Sequence, residues 1–392
     1  MREVVVLSGV RTAIGGYGGA LKDVAPADLA AKVVAEAVKR AEINPDEIGH
    51  GVFGHVIHGE IRDMYLARVA CLNGGLPQHT AALTVNRLCG SGLQAIISAS
   101  QHILLNDTDV AVAGGAESMS RGGYLLPALR WGQRMHDGGT VDMMVGALTD
   151  PFEYVHMGIT AENIARKWQI NREEQDACAL ESHRRAIHAI QQGFFKDQIL
   201  PVEITNRKNL TIFDTDEHPR ENVSLDSLGK LNAVFQKGGT VTAGNASGIN
   251  DCAAAVVLME RKLAEKRSHR AMARLVSYGH AGVDPQFMGM GPVPAVQKAL
   301  KQAGLDISDI DVIESNEAFA VQACAVAKEL HFDPAKTNPN GGAVALGHPI
   351  GATGAILTIK AIYELHRTGG QYALVTMCIG GGQGIAAVFE RL

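Results

Sequence analysis

The last third of the sequence repeats the pattern of the first third, and this repetition constrains the fold more than any other feature. Ala303-Gly-Leu-Asp-Ile-Ser-Asp-Ile310 parallels Ala41-Glu-Ile-Asn-Pro-Asp-Glu-Ile48, each directly after an amphipathic helical pattern. The two segments are 262 residues apart, and the strand-like runs that open at Val110 and Tyr372 are separated by the same 262 residues. We therefore expect two α/β halves with the same order of strands and helices.

The stretch between these halves differs in composition. Residues 119–240 contain long polar runs, both Trp residues and two helical segments, at 160–168 and 172–192, whose openings at Thr160 and Asn171 are typical of helix caps. We expect an N-terminal half made of 1–118 with 241–270, an inserted loop lobe over 119–240, and a C-terminal half over 271–392.

Cys89 lies at a glycine-rich turn between an apolar strand and an apolar helix that runs to about Leu105. The positive end of a helix dipole lowers the pKa of a thiol placed there, which favours a nucleophile. The alternative is a small buried hydrophobic residue at the start of a core helix. The repeat favours the nucleophile. In the second half, the counterpart of the Cys89 turn and helix contains the rigid turn Gly347-His348-Pro349-Ile350-Gly351. A cysteine nucleophile needs such a base within hydrogen-bond reach, although a hydrogen-bonded loop histidine is the ordinary alternative.

Two further segments carry candidate chemistry. Cys378 ends an apolar strand in Cys378-Ile-Gly-Gly-Gly-Gln-Gly384, and because another strand follows, the turn predicts a hairpin rather than a dinucleotide site. Asn316 follows a different apolar strand and precedes a helix. Its local sequence favours a helix N-cap, and the alternative is an amide that stabilises an oxyanion directly or through water.

Composition excludes several classes of function. A formal net charge of -5 and a pI near 6.3, with only two Trp, argue against nucleic-acid binding. We expect a cytoplasmic protein without a membrane span, because no secretory signal, long apolar run or CxxC pair occurs. We expect no metal site, since His55-Val-Ile-His58 lacks further ligands at useful spacing.

Six motifs in order resemble those of the thiolase family, and the resemblance runs from Val4 to Phe389. The matching segments are Asn86-Arg-Leu-Cys-Gly-Ser-Gly, Gly114-Gly-Ala-Glu-Ser-Met-Ser, Gly244-Asn-Ala-Ser-Gly, Asn316-Glu-Ala-Phe-Ala, Gly347-His-Pro-Ile-Gly-Ala-Thr-Gly and Cys378-Ile-Gly-Gly-Gly-Gln-Gly. The resemblance is greatest to bacterial biosynthetic acetyl-CoA acetyltransferases and to broad-range β-ketothiolases that feed polyhydroxyalkanoate synthesis. It implies duplicated mixed-sheet βαβ halves in five layers, α-β-α-β-α, and a homotetramer.

The resemblance also implies a ping-pong acyl transfer without a cofactor, in which acetyl-CoA, acyl-CoA, 3-oxoacyl-CoA and CoA are substrates or products. Cys89 would carry the acyl group after His348 takes its proton, and Cys378 would remove the α-proton of acetyl-CoA. His348 and a water held by Asn316 would stabilise the enolate, and the backbone N–H groups of Cys89 and Gly380 would hold the tetrahedral oxyanion. The lobe would bind CoA, with implied contacts at His156, Met157, Arg220, Ser227, Phe235, Ala243, Ser247 and Phe319.

We consider two rival functions: a second enzyme that shares the fold, and, from another class, a CoA-binding or scaffold protein that has lost activity. A decarboxylating ketoacyl synthase shares the fold but resembles a site with one Cys and two His, whereas this sequence has Cys378 in place of the second His. An inactive CoA-binding protein is opposed by the presence of all four candidate catalytic residues. The sequence departs from the usual pattern at 231–235, at His55 and at Gly122-Gly123, none of which removes a catalytic group.

Overall fold

A computed structural model describes residues 2–206 and 209–392, which form one large sheet system, two small hairpins and twelve α-helices. The strands are β1 (Val4–Thr12), β2 (Gly15–Gly16), β3 (His50–Gly54), β4 (Ala81–Val85), β5 (Val110–Ser118), β6 (Tyr124–Leu125), β7 (Val141–Asp142), β8 (Ile199–Leu200), β9 (Val202–Asn206), β10 (Asn209–Phe213), β11 (Asn250–Glu260), β12 (Ala273–Gly282), β13 (Val312–Ser315), β14 (Tyr372–Ile379) and β15 (Gln383–Arg391). The helices are α1 (Pro26–Ala41), α2 (Leu66–Asn73), α3 (Ser91–Leu104), α4 (Met143–Ala147), α5 (Met157–Trp168), α6 (Arg172–Gln191), α7 (Leu225–Gly229), α8 (Arg261–Lys266), α9 (Pro292–Ala303), α10 (Ala320–Leu330), α11 (Ala343–Leu346) and α12 (Thr353–Thr368).

The main strands form two mixed sheets that meet along one edge. The first has the order β4-β3-β5-β11-β1 and the second the order β12-β15-β14-β13. Strands β1 and β12 join them through two residue pairs, Val5 with Arg274 and Val6 with Ala273. Strands β1, β5 and β11 are buried along their whole length, which explains their continuous apolar sequences.

Helices cover these sheets in five layers. Helices α1 and α2 lie outside the first sheet, and α9 and α10 lie outside the second, while α3 and α12 pack against each other between the sheets. The predicted five-layer α/β fold is therefore confirmed. Helix α12 begins at Thr353, 262 residues after the first residue of α3, Ser91, so the sequence repeat holds for these central helices to the residue.

The two central helices approach each other more closely than side chains would allow. A Cβ atom added at Gly354 would lie 2.1 Å from the backbone nitrogen of Leu93, and one added at Gly92 would lie 2.8 Å from that of Ala355. Real Cβ contacts are essentially never that short, so both positions require glycine. This contact brings the N-terminal turns of α3 and α12 together.

The inserted region contains α5, α6 and the hairpin β9–β10, and it packs against both halves. Helix α6 contacts α10 and α11, and β8 pairs with β1. The Asn171 prediction is correct, because its side chain accepts from Glu174 N in a capping box. The Thr160 prediction is wrong: α5 begins three residues earlier behind His156, and the Thr160 hydroxyl bonds to Met157 O within the helix. The domain boundaries at 118, 240 and 270 remain a prediction.

A buried ion pair anchors the part of the lobe that follows β10. The Arg11 guanidinium on β1 donates two hydrogen bonds to the Asp216 carboxylate, at 2.7 and 2.9 Å, and both side chains are fully buried. Asp216 also accepts from the backbone nitrogen of Ile14 at 2.8 Å. The segment that carries His218 and Arg220 is thus fixed to the first sheet.

We expect Asp216→Ala to lower the free energy of unfolding by about 3–5 kcal/mol, because it leaves the buried Arg11 charge without a partner. Urea denaturation of the wild-type protein and of Asp216→Ala measures this loss. The matched control is Asp226→Ala, which breaks the exposed pair with Lys230 and should cost about 0–1 kcal/mol. Equal losses in the two variants would contradict an anchoring role for Arg11 and Asp216.

Candidate active site

Cys89 occupies a tight turn that its neighbours hold with side-chain hydrogen bonds. Leu88 has a left-handed backbone, with φ of 43°, and its N–H donates to Asn86 Oδ1 at 2.9 Å. The Ser91 hydroxyl donates to Leu88 O at 2.6 Å and accepts from Arg87 N at 2.8 Å. The strained turn directs Cys89 away from the start of α3 and towards the end of β14.

The resting Cys89 thiol is neutral, contrary to the expectation from the helix dipole. Burial raises the pKa of this thiol to about 11, and the negative charge of Glu117 adds to the rise. The sulfur receives hydrogen bonds from the backbone N–H groups of Gly380 and of Cys89 itself, which oppose the increase. The local argument from the helix terminus therefore gave the wrong direction, because burial outweighs the dipole.

Cys378 lies beside Cys89 at the end of β14. Burial raises the pKa of the Cys378 thiol, and the neighbouring Cys89 raises it further. The predicted hairpin is present, since β14 turns directly into β15 and Cys378 pairs with Gly384. A Cβ atom at Gly380 would lie 2.6 Å from Met157 Cε, so a larger residue would require the end of the Met157 side chain to move.

His348 is fixed at both its backbone and its ring. Its N–H donates to Asn250 Oδ1 at 2.9 Å, and the Asn250 side chain donates in turn to Gly15 O at 3.0 Å. The ring nitrogen Nδ1 lies 2.7 Å from Thr353 Oγ1, and Nε2 lies 3.4 Å from Asn316 Nδ2. Burial lowers the pKa of the imidazole to about 4, so His348 is a neutral base at physiological pH.

Asn316 is not a helix N-cap. Helix α10 begins at Ala320, four residues later, and Phe319 precedes it without a side-chain cap. The Asn316 amide instead faces His348, is fully buried, and its Oδ1 makes no hydrogen bond within the described chain. An unpaired buried acceptor beside a neutral imidazole is suited to hold a water molecule or a substrate hydrogen-bond donor.

A buried carboxylate next to Asn316 connects the lobe to the C-terminal half. Glu317 accepts hydrogen bonds from Ser182 Oγ at 2.7 Å, Asn338 Nδ2 at 2.9 Å and Val344 N at 3.1 Å. It thereby connects the Asn316 turn with α6 and with α11, the short helix that leads into His348. Sequence reasoning missed this role, although a Glu directly after an apolar strand is an available signal.

Glu117 plays the equivalent part for the first half. This fully buried carboxylate at the end of β5 accepts from Val56 N and Ile57 N, each at 3.1 Å, and from Gly351 N at 2.9 Å. The bond to Gly351 crosses from one half to the other and fixes the turn that carries His348. His55, which departs from the family pattern, lies against it, with Nδ1 3.3 Å from the carboxylate.

The residues implied in CoA binding fall into two groups. Arg220, Ser227 and Ala243 line one cavity of about 670 Å³ together with His183 and His218, which sequence reasoning did not identify. Burial lowers the pKa of His183 to about 4 and also lowers that of His218, so neither imidazole supplies a positive charge at neutral pH.

The second group lies nearer the thiols. The His156 ring stacks on Phe235, with centroids 4.5 Å apart, and Phe235 meets Phe319 edge-on at 6.2 Å. Met157 contacts the Gly380 turn, and Ser247 N donates to Ala318 O at 3.0 Å, one residue from Phe319. The apolar stack therefore extends from the lobe to the segment that carries Asn316. The CoA contacts of both groups remain predictions.

This geometry defines a class of enzyme: a cysteine-dependent transferase with one partly buried and one buried thiol, a neutral imidazole, and paired backbone donors beside the first thiol. The family model described as the N-terminal domain of thiolase matches residues 4–262, and that of the C-terminal domain matches residues 269–391. The chain belongs to the thiolase family, and its activity is acyl transfer.

Relatives agree over the full length. The chain is 66% identical to the β-ketothiolase BktB of Cupriavidus necator and 48% identical to the acetyl-CoA acetyltransferase of Syntrophomonas wolfei, covering 100% of each chain. Among solved structures, it resembles the Bacillus anthracis acetyl-CoA acetyltransferase and the human mitochondrial 3-ketoacyl-CoA thiolase. Both give a TM-score of 0.98, at 45% and 43% identity, over 100% of this chain and 99% of each structure.

We expect the rate at which iodoacetamide alkylates Cys89 to increase about tenfold per pH unit between pH 6 and pH 9. The thiolate fraction of a group with a pKa of about 11 increases in that proportion, while His348 stays neutral throughout. Intact-mass spectrometry measures the rate, and Cys89→Ala gives the background from the other thiols. A rate that does not change with pH below pH 7 would indicate a preformed thiolate–imidazolium pair instead.

Proposed function

We propose that this thiolase catalyses the reversible Claisen condensation of acetyl-CoA with an acyl-CoA to give a 3-oxoacyl-CoA and CoA. The observations that support it most directly are the neighbouring thiols of Cys89 and Cys378 and the contact of Asn316 with His348. His348 lies in the turn before α12, and α12 packs against α3, the helix that follows Cys89. One thiol can hold an acyl group while the other transfers a proton. A ketoacyl synthase would have a second imidazole in place of Cys378.

The first half-reaction loads the acyl group on Cys89. The neutral Nε2 of His348 takes the thiol proton as the sulfur attacks the thioester carbonyl, so the thiolate forms only during attack. The N–H groups of Cys89 and Gly380 stabilise the oxyanion that develops on the thioester carbonyl oxygen. The tetrahedral intermediate then expels CoA as its thiolate, which takes the proton held by His348. Before substrate binds, the Cys89 thiol and the His348 imidazole are both neutral, so the site avoids the free-energy cost of burying a charge.

The second half-reaction forms the carbon–carbon bond. Cys378 first passes its thiol proton to neutral His348 and then, as the thiolate, removes the α-proton of acetyl-CoA. The enolate oxygen is stabilised by the protonated His348 and by a water held on Asn316. The carbanion then attacks the acyl-Cys89 thioester, and the released Cys89 thiolate takes the proton from His348. In reverse, the same groups cleave a 3-oxoacyl-CoA with CoA. The cavity at Arg220 and the His156–Phe235–Phe319 stack would bind the CoA portion, without a cofactor or metal.

Assembly and location remain part of the proposal. We infer a cytoplasmic homotetramer from the family resemblance. Among the described residues, no helix has both the length and the apolar character needed to cross a membrane.

We expect acetoacetyl-CoA to add one acetyl group to the wild-type chain and none to Cys89→Ala, because only this thiol is placed beside the two N–H donors. Intact-mass spectrometry after brief mixing detects the adduct. The matched control is Cys71→Ala, which removes a buried cysteine on α2, the helix outside the first sheet, and should be acetylated like wild type. Absence of an adduct on wild type, or its presence on Cys89→Ala, would refute the acyl-enzyme.

We expect Cys378→Ser to slow carbon–carbon bond formation and cleavage by about 10²- to 10⁴-fold, since it removes the proton-transfer group. Acetyl loading of Cys89 from acetyl-CoA should change less than about tenfold, because His348 performs that step. Single-turnover measurements separate the two half-reactions. An equal loss in both would assign Cys378 to a structural role.

A further inference from the structure

The position of the proton on the His348 ring decides whether this residue can act as the base for Cys89. A neutral imidazole carries one N–H and one lone pair, and its hydrogen-bond partners determine which nitrogen is protonated. His348 is buried, and its two ring nitrogens face different partners: Thr353 Oγ1 at Nδ1 and Asn316 Nδ2 at Nε2. The mechanism above requires the lone pair on Nε2.

The Thr353 hydroxyl has a single proton, and the contacts around it fix where that proton goes. Its Oγ1 lies 2.9 Å from the carbonyl oxygen of Pro349 and 2.7 Å from His348 Nδ1. A carbonyl oxygen can only accept, so the hydroxyl donates to Pro349 O. The contact to His348 is then a hydrogen bond only if Nδ1 carries the proton and Thr353 accepts it.

We propose that Thr353 is the positioning residue that sets the tautomer of His348, placing the proton on Nδ1 and the lone pair on Nε2. Asn316 agrees with this assignment, because its Nδ2 group donates and therefore needs an acceptor at Nε2. The hydroxyl is itself fixed, since Thr353 is the first residue of α12 and is buried against the turn it bonds. When His348 accepts the Cys89 proton at Nε2, its Nδ1–H bond to Thr353 is unchanged, so the ring need not rotate.

The same helix supplies a matched control. Thr358 is also fully buried, and its hydroxyl donates to the carbonyl four residues before it, Gly354 O, at 2.8 Å. Among the described residues, the Thr358 hydroxyl makes no hydrogen bond to a histidine ring. Valine at either position removes a hydroxyl of the same geometry at nearly constant volume, so the two variants share any general cost to α12.

The test compares Thr353→Val, Thr353→Ser and Thr358→Val. We expect Thr353→Val to lower kcat by about 10- to 100-fold with KM for acetoacetyl-CoA changed less than about twofold, as for other outer partners that orient a functional imidazole. Thr353→Ser should recover most of the rate because it keeps the hydroxyl, and Thr358→Val should stay within about twofold of wild type. A Thr353→Val enzyme as active as Thr358→Val would overturn the proposal.

Nitrogen-15 spectra of histidine-labelled protein read the tautomer directly, with His348→Asn identifying the resonances. We expect an unprotonated Nε2 in wild type and Thr358→Val, and loss of that single tautomer in Thr353→Val. The same tautomer in all three would overturn the proposal. The kinetic comparison rests on the proposed acyl transfer, whereas the spectra concern the resting protein. A failure of the proposed function and a failure of this inference therefore give different results.

Discussion

The site depends on the close contact between α3 and α12 at the centre of the molecule. Because Gly92 and Gly354 lack side chains, the two helix backbones meet where Cβ atoms would collide. Each helix begins directly after a turn that carries a reactive residue, Cys89 in one half and His348 in the other. The bond from Gly351 N to Glu117 then holds the second turn against the first half. Nucleophile and base come together through backbone packing rather than through their own side chains.

Burial also determines the charge of the Cys89 thiol and the His348 imidazole in the resting site. A thiol with a pKa of about 11 and an imidazole with a pKa of about 4 exchange no proton at rest. Charge appears only when substrate arrives, and the Cys89 and Gly380 N–H groups are already oriented to stabilise it. Such preorganised donors are most effective where water is excluded, because they need no rearrangement during the reaction.

The sequence predicts the layered fold, because a 262-residue repeat in the sequence becomes a pseudo-symmetry in space. The same repeat predicts that the turns of Cys89 and His348 lie near each other, and the start of α3 does approach Gly351 and Ala352. The sequence could not predict that the Cys89 thiol is protonated. The dipole of α3 can be inferred from the local sequence, whereas the burial that raises the pKa of the thiol depends on distant segments. The sequence also favoured a cap at Asn316, where α10 begins four residues later. The roles of Glu117 and Glu317 were missed for a related reason. A carboxylate is visible in the sequence, but the backbone N–H groups it binds come from distant segments.

The division of the site between the two halves also bears on synthesis of the chain. The nucleophile belongs to the first quarter of the sequence, whereas Asn316, His348 and Cys378 all belong to the last. A ribosome-bound chain therefore exposes Cys89 long before its base, its proton-transfer partner and the Gly380 donor exist. Under the proposed mechanism, incomplete chains cannot trap acyl groups, and only a finished, correctly packed molecule consumes CoA thioesters. The duplicated fold thus makes completion of the polypeptide a condition for reactivity.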